Sequence, residues 1–80
     1  MHYVYVLKSL SDTEQTYTGY TTNIDQRIMM HNEGLSIYTA KYRPWRLLWY
    51  GAFVDESKAI AFEKYLKSGS GKALVVKRLI

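Results

Sequence analysis

Residues 2–20 read HYVYVLKSLSDTEQTYTGY, and their reading sets the frame for the rest of the chain. HYVYVLKS is rich in β-branched and aromatic side chains, which suit the pleated, half-buried surface of a strand. Alternation puts Tyr3, Tyr5 and Leu7 on one face and Val4 and Val6 on the other. SLSDTE is a polar connector, and QTYTGY reads as a second strand, so the segment forms a β-hairpin. Gly19, near the end of that strand, marks a bulge or a close backbone approach. Where the register allows, Tyr5 and Tyr17 meet on one sheet face, and each buried phenol needs a partner for its hydroxyl.

Working outward, Thr22 with Asp25 three residues later resembles a capping box before a helix that runs from Ile24 to Asn32. Gly34 stands where a left-handed residue ends such a helix. LSIYTAKYR has no sustained period and reads as an irregular loop with room for one helical turn. WRLLWYGAFV follows as a third strand, apolar on both faces, which implies cover on both sides of the sheet. Asp55 caps a second helix, ESKAIAFEKYLKS, whose inward stripe is Ala59, Phe62 and Leu66. SGSG breaks that helix. KALVVKRLI is a short terminal element, strand or helix, between which its period does not decide. The expected architecture is one α+β domain over residues 1–80, a small three-stranded, mostly antiparallel sheet with helices packed on its faces.

Eighty residues leave room for one core, and a chain of this size buries only about 60–65% of its unfolded surface. Cysteine is absent, which excludes a disulfide framework and thiolate metal sites. The opening MHYVYVLKSL turns polar too soon for a signal peptide or a spanning helix, so the expectation is a soluble, cytoplasmic protein. The formal net charge of +4 is unevenly spread. Residues 1–40 hold two basic and four acidic side chains, a sum of −2, and residues 41–80 hold nine and three, a sum of +6. A basic half fits an anionic partner, nucleic acid above all, and fits equally a solvated surface that keeps the chain in solution.

Three polar residues sit against this pattern. In IDQRIMMH (residues 24–31), Ile24 and Ile28 begin a buried stripe, yet Arg27 and His31 fall on its edge. Glu63 lies within the apolar stripe of the second helix. An unpaired buried charge is costly, so such groups are paired, at an edge or bound to something. Two readings stand side by side at this point, a Glu63–Arg27 ion pair across a helix interface and a functional site.

The order of YVYVLKS, YTGYT, R-x-x-x-H-N-x-G, RPW, AFEKYLK and SGSGKA resembles a GIY-YIG nuclease domain, in particular its small stand-alone members, over about residues 2–78. These members are related to the N-terminal incision domain of the excision-repair nuclease. The resemblance matches Tyr5 to the tyrosine that ends the first signature tripeptide, and Tyr17 and Gly19 to the tyrosine and glycine of the second. It matches Arg27, His31 and Glu63 to the family's arginine, its histidine or tyrosine, and its metal-binding glutamate. The first tripeptide here, Tyr3-Val4-Tyr5, lacks the family's glycine, and Thr18 replaces isoleucine. Many members also carry a polar residue, often asparagine, beyond the glutamate. This chain has no asparagine after Asn32, so Ser68 or Ser70 would have to substitute.

The resemblance implies a metal-dependent DNA endonuclease acting in repair or processing. The alternatives are a nucleic-acid-binding module with little cleavage, or a structural interaction domain. On the first reading Glu63 holds one Mg²⁺ (or Mn²⁺), an ion that often takes one or two protein carboxylates and fills its shell with water and phosphate. Arg27 neutralises charge at phosphorus with a planar fork of donors that stays protonated. Tyr17 is the implied general base, His31 a relay and Tyr5 a group that positions water or phosphate; a phenol of ordinary pKa about 10 needs a positive setting to act as a base. Lys41, Tyr42, Arg43 and Arg46 around the loop, with Tyr38, Lys64, Lys67, Lys72 and Gly19, are the expected DNA-facing residues. So small a domain favours backbone and shape recognition over base reading.

Overall fold

Val4 and Val6 are fully buried on one face of the first strand, and Tyr5 and Leu7 on the other, which makes that strand the centre of the molecule. The computed structural model describes residues 1–69 and 71; Ser70 and the terminal element from Lys72 onward, including Lys72 itself, lie outside the described residues. In chain order the elements are β1 (His2–Ser9), β2 (Thr16–Thr21), α1 (Ile24–Asn32), α2 (Ile37–Ala40), β3 (Trp45–Phe53) and α3 (Glu56–Lys67). The sheet order is β2-β1-β3, and β1 is antiparallel to both neighbours. The fold is therefore α+β, and β1 has no edge to protect.

Each face of β1 carries its own core. Val4 and Val6 pack with Ala59 and Leu66 of α3, ringed by Tyr20, Leu48, Trp49, Phe53 and Phe62. Phe62 places its ring 5.8 Å from Trp49 and 5.6 Å from Phe53. Tyr5, Leu7 and Trp45 form the second core with Ile24 and Ile28 of α1, Tyr17, Tyr42 and Leu47. Thus α1 and α3 cover opposite faces. The register slips between Val6 and Leu7, where Val6 faces Trp49 but Leu7 faces Leu47. Leu48 is the extra residue of this β-bulge, and it joins Trp49 on the α3 side while Leu47 turns to the other. The bulge explains why β3 reads as apolar on both faces without clean alternation.

The helix ends follow local chemistry. Asn23 caps α1, its side-chain oxygen accepting the Gln26 backbone N–H at 3.1 Å. This corrects the expected Thr22 cap by one residue and leaves the helix bounds as expected: Thr21 uses its hydroxyl to accept the Asn23 N–H, which sets the cap in place. At the other end Gly34 adopts φ 79°, with Gly34 N–H bonded to His31 O and Leu35 N–H to Met30 O. These two bonds are the Schellman pattern, and they settle the last carbonyls of α1. Asp55 caps α3 by accepting the Ser57 N–H at 2.9 Å. The single turn allowed in residues 35–43 is α2.

Leu66, 1% exposed, is set between α3 and β1, whereas Ile37 is 95% exposed. In urea denaturation we expect Leu66→Ala to cost about 2–5 kcal/mol. Ile37→Ala should stay within about 0.5 kcal/mol of the parent. Equal losses would contradict the placement of α3.

Candidate active site

The register sets Tyr5 opposite Gly19 and Tyr17 opposite Leu7, so Tyr5 and Tyr17 are diagonal neighbours on the α1 face of the sheet. Their ring centroids are 6.3 Å apart. Gly19 is buried, and a Cβ added there would collide with the hydroxyl and ring of Tyr5. The glycine contributes the space in which the phenol lies. That gives Gly19 a packing role.

From there the hydroxyl of Tyr5 reaches His31 Nε2 at 3.0 Å, and His31 Nδ1 reaches Thr39 Oγ1 at 2.8 Å. Tyr5, His31 and Thr39 are all at most 1% exposed. The third member of the chain is held in turn by Trp45, whose indole N–H donates to the Thr39 carbonyl at 2.9 Å. Asn32 clamps the same corner: its carboxamide accepts the Trp45 N–H at 2.6 Å and donates to the Trp45 carbonyl at 3.1 Å. These bonds fix the end of α1 against the start of β3, and with it the direction of the His31 ring. Sequence reasoning had quoted Asn32 within the helix motif without giving it a role, and it missed Thr39 altogether. A buried imidazole needs partners for both nitrogens, and the threonine eight residues on was the signal available.

Tyr17 occupies the middle of an aromatic group. Its ring centroid lies 5.0 Å from His31, 6.0 Å from Tyr38 and 6.5 Å from Trp45. From α3, the Lys67 ammonium stands 5.8 Å from the Tyr17 ring centroid and 3.2 Å from Glu63 Oε2. The carboxylate of Glu63 is thus engaged by its own helix neighbour, and the ion pair with Arg27 does not form. Arg27, half-buried on α1, acts at range on the same group of residues. Two elements from opposite faces of the sheet, α1 and α3, bring charge to the phenols of β1 and β2.

The electrostatics separate the roles open to these groups. Burial pushes the Tyr5 hydroxyl well above the ordinary phenol value of 10.0; Tyr17 adds to this, Arg27 opposes it and Glu63 adds again. Tyr5 therefore keeps its proton and serves as a hydrogen-bonding group, not a base. Burial, followed by the charge of Arg27, lowers the pKa of His31 from 6.5, so the imidazole is neutral at pH 7.

The expected DNA-facing residues divide. Lys41, Arg43, Arg46 and Lys64 are exposed. The ammonium of Lys41 lies 5.1 Å from the Tyr42 ring centroid, and the guanidinium of Arg43 passes over Gly34. Tyr42 instead packs on the Leu7–Trp45 core, 6.4 Å from the Trp45 ring, so it is not a free stacking platform. Tyr38, beside Tyr17, is 59% exposed. Ser68 donates its hydroxyl to the Tyr65 carbonyl at the end of α3 and accepts the Gly71 N–H. Ser70 and Lys72 lie outside the described residues.

Among the described residues no three His, Asp or Glu side chains gather as a metal cage. Glu63 stands as a single hard oxygen donor, 20% exposed, with a cation already beside it. That donor set fits an ion that keeps most of its water, such as Mg²⁺ or Mn²⁺, and does not fit a closed tetrahedral zinc site.

Fold and site together define a nuclease-type domain, and comparison with known proteins agrees. The GIY-YIG catalytic domain matches residues 1–76, and the chain belongs to that family. It is 40% identical over 70 residues to the UPF0213 protein SH2523 of Staphylococcus haemolyticus, covering 86% of this chain and 83% of that protein. It is also 40% identical over 68 residues to the UPF0213 protein HQ_3675A of Haloquadratum walsbyi, covering 84% and 74%. Among solved structures, the solution NMR structure of the UPF0213 protein BH0048 from Bacillus halodurans is similar with TM-score 0.56 and 38% identity, covering 94% of this chain and 81% of that one.

The buried, neutral His31 makes stability depend on pH. Its folded pKa lies below the unfolded 6.5, so the unfolded chain binds the proton first on acidification. The stabilisation is complete above about pH 6.5 and is lost as pH falls through the folded pKa. Thermal unfolding between about pH 8 and pH 5 should show a midpoint that drops more steeply for the parent than for His31→Gln, which cannot titrate. Parallel curves would contradict the buried neutral imidazole.

Proposed function

We propose that the chain is a metal-dependent endonuclease that hydrolyses phosphodiester bonds of DNA, in repair or processing within the cytoplasm. The observation that carries this reading is the gathering of Tyr5, Tyr17 and His31 beside the Glu63–Lys67 pair at the β2 edge of the sheet. Among the described residues no helix is long and apolar enough to cross a membrane.

Each requirement of hydrolysis has a group to meet it. Arg27 binds the scissile phosphate, because its fork of donors matches phosphate oxygens and holds its charge throughout. Tyr17 takes the proton of the attacking water, with the Lys67 ammonium 5.8 Å from its ring centroid. Tyr5 keeps its proton and positions water or a phosphate oxygen, and His31 holds Tyr5 in place. Glu63 would hold Mg²⁺ or Mn²⁺; when bound, that ion supplies charge stabilisation at the departing oxygen. Lys67, on a flexible stem, can turn from Glu63 to a phosphate. Lys41, Arg43, Arg46 and Lys64 provide backbone grip, and Tyr38 a face for an unpaired base.

The alternative, a nucleic-acid-binding module with little cleavage, has one specific observation in its favour: the cap taken up by Ser68 leaves the family's downstream polar residue unfilled among the described residues.

Branched, single-stranded and plasmid DNA incubated with Mg²⁺ or Mn²⁺ decide between them. The parent should cut, a chelator should stop it, and Glu63→Ala, Arg27→Ala and Tyr17→Phe should each lose roughly 10²–10³-fold in rate. Cutting that survives Glu63→Ala and Tyr17→Phe unchanged would remove the site assignment. Binding without cutting by every form would establish the alternative.

A further inference from the structure

The buried chain Tyr5–His31–Thr39 contains one proton more than its hydrogen bonds consume. Tyr5 and Thr39 each bring a hydroxyl proton and the neutral imidazole brings one N–H, yet there are two bonds, Tyr5 Oη to Nε2 at 3.0 Å and Nδ1 to Thr39 Oγ1 at 2.8 Å. Two arrangements are possible. If His31 carries its proton on Nδ1, it donates to Thr39, Tyr5 donates to Nε2, and the Thr39 hydroxyl proton is left over. If the proton is on Nε2, Thr39 donates to Nδ1, His31 donates to Tyr5, and the Tyr5 hydroxyl proton is left over.

The two ends of the chain are not equivalent. Thr39 is fully buried beneath α2, and among the described residues its hydroxyl has no partner besides His31. Its carbonyl is already taken by the Trp45 indole. A hydroxyl proton left there would be stranded in a dry interior. The Tyr5 hydroxyl lies over Gly19 and beside Tyr17, at the end of the chain that meets the candidate site. Tyr5 is as buried as Thr39, but its neighbour Tyr17 is only half-buried and stands beside Lys67 at the β2 edge. A proton left over at that end therefore lies one side chain from the surface and can be taken up by whatever binds there.

We propose that Thr39 is a positioning residue, whose hydroxyl donates to His31 Nδ1, fixes the imidazole as the Nε2–H tautomer and so turns the Tyr5 O–H into a donor aimed at the site. The acceptor it awaits is a phosphate oxygen or a water bound beside one, a clause that rests on the nuclease reading; the tautomer rests on the hydrogen-bond count and on the surroundings of the two hydroxyls. The four-residue helix α2 then has a purpose beyond connection. Held by the Trp45 indole, it delivers one hydroxyl to the back of the histidine.

The tautomer can be read without DNA or metal. Two-bond ¹H–¹⁵N correlation spectra of ¹⁵N-histidine-labelled protein near neutral pH separate protonated from unprotonated ring nitrogens. His31 in the parent should show a protonated Nε2 and an unprotonated Nδ1. Thr39→Val, which keeps the shape and removes the donor, should abolish the single Nε2–H form, and Thr39→Ser should restore it. In the cleavage assay Thr39→Val should be roughly 10- to 100-fold slower, the scale of partners that orient a functional imidazole, with Thr39→Ser close to the parent. An Nδ1–H tautomer in the parent overturns the proposal, as does an unchanged Nε2–H form in Thr39→Val. Should Thr39→Val fail to fold, the parent and Thr39→Ser spectra still decide. If no form cuts DNA while the parent shows Nε2–H, the nuclease reading fails and the assignment to Thr39 stands.

Discussion

The placement of the Tyr5 phenol over Gly19, with its hydroxyl bonded to His31, is the constraint around which this small domain is arranged. It requires a strand partner with no side chain, and β2 supplies Gly19 at the paired position. It requires a helix whose last turn points an imidazole at the sheet, and α1 supplies it through the Asn23 cap and the Gly34 turn. It requires that the imidazole be held from behind, and α2 supplies Thr39. An interior of this size has little apolar surface to spare, so a polar chain through it persists only if each member is satisfied. Among the described residues every buried side-chain nitrogen and oxygen has a partner.

The same arrangement sets what the surface can do. Because α1 and α3 lie on opposite faces of β1, their charged residues meet only at the β2 edge, where Tyr17 separates them. Arg27 approaches from one side and the Glu63–Lys67 pair from the other. That edge gathers cations, a carboxylate and an exposed ring face, which on the proposed nuclease reading are the components of backbone-directed nucleic-acid chemistry rather than of sequence reading.

Much of this could be read from residue order, and the parts that could not have specific causes. The alternation of HYVYVLKS gave both faces of β1 correctly, because a central strand buried on both sides leaves no freedom of register. Asp55 and Gly34 marked their helix ends because capping and positive φ are local chemistry. The bounds of α1 were read correctly but its cap was placed one residue early, since Thr21, Thr22 and Asn23 are all acceptable caps and only the Thr21 hydroxyl bond decides among them. Glu63 was correctly marked as unusual but its partner was not found: the choice of Lys67 over Arg27 depends on which faces α1 and α3 cover. The packing roles of Tyr42 and Gly19 were not visible, for burial is a property of the assembled sheet. Thr39 had only a weak signal, its spacing of eight residues from His31, because its importance comes from a buried histidine whose burial is itself tertiary.

The central claim, that Tyr5, Tyr17, Arg27 and Glu63 surround one phosphate-and-metal cleft, is tested most directly by paramagnetic Mn²⁺ titrated into ¹⁵N-labelled protein with a short phosphorothioate DNA that resists cutting. Signals of Glu63, Tyr17 and their neighbours should broaden first, with Glu56, seven residues and about 10 Å back along α3, losing intensity later. Broadening that begins at Asp55 and Glu56, or at Asp12 and Glu14 in the hairpin loop, would contradict the account.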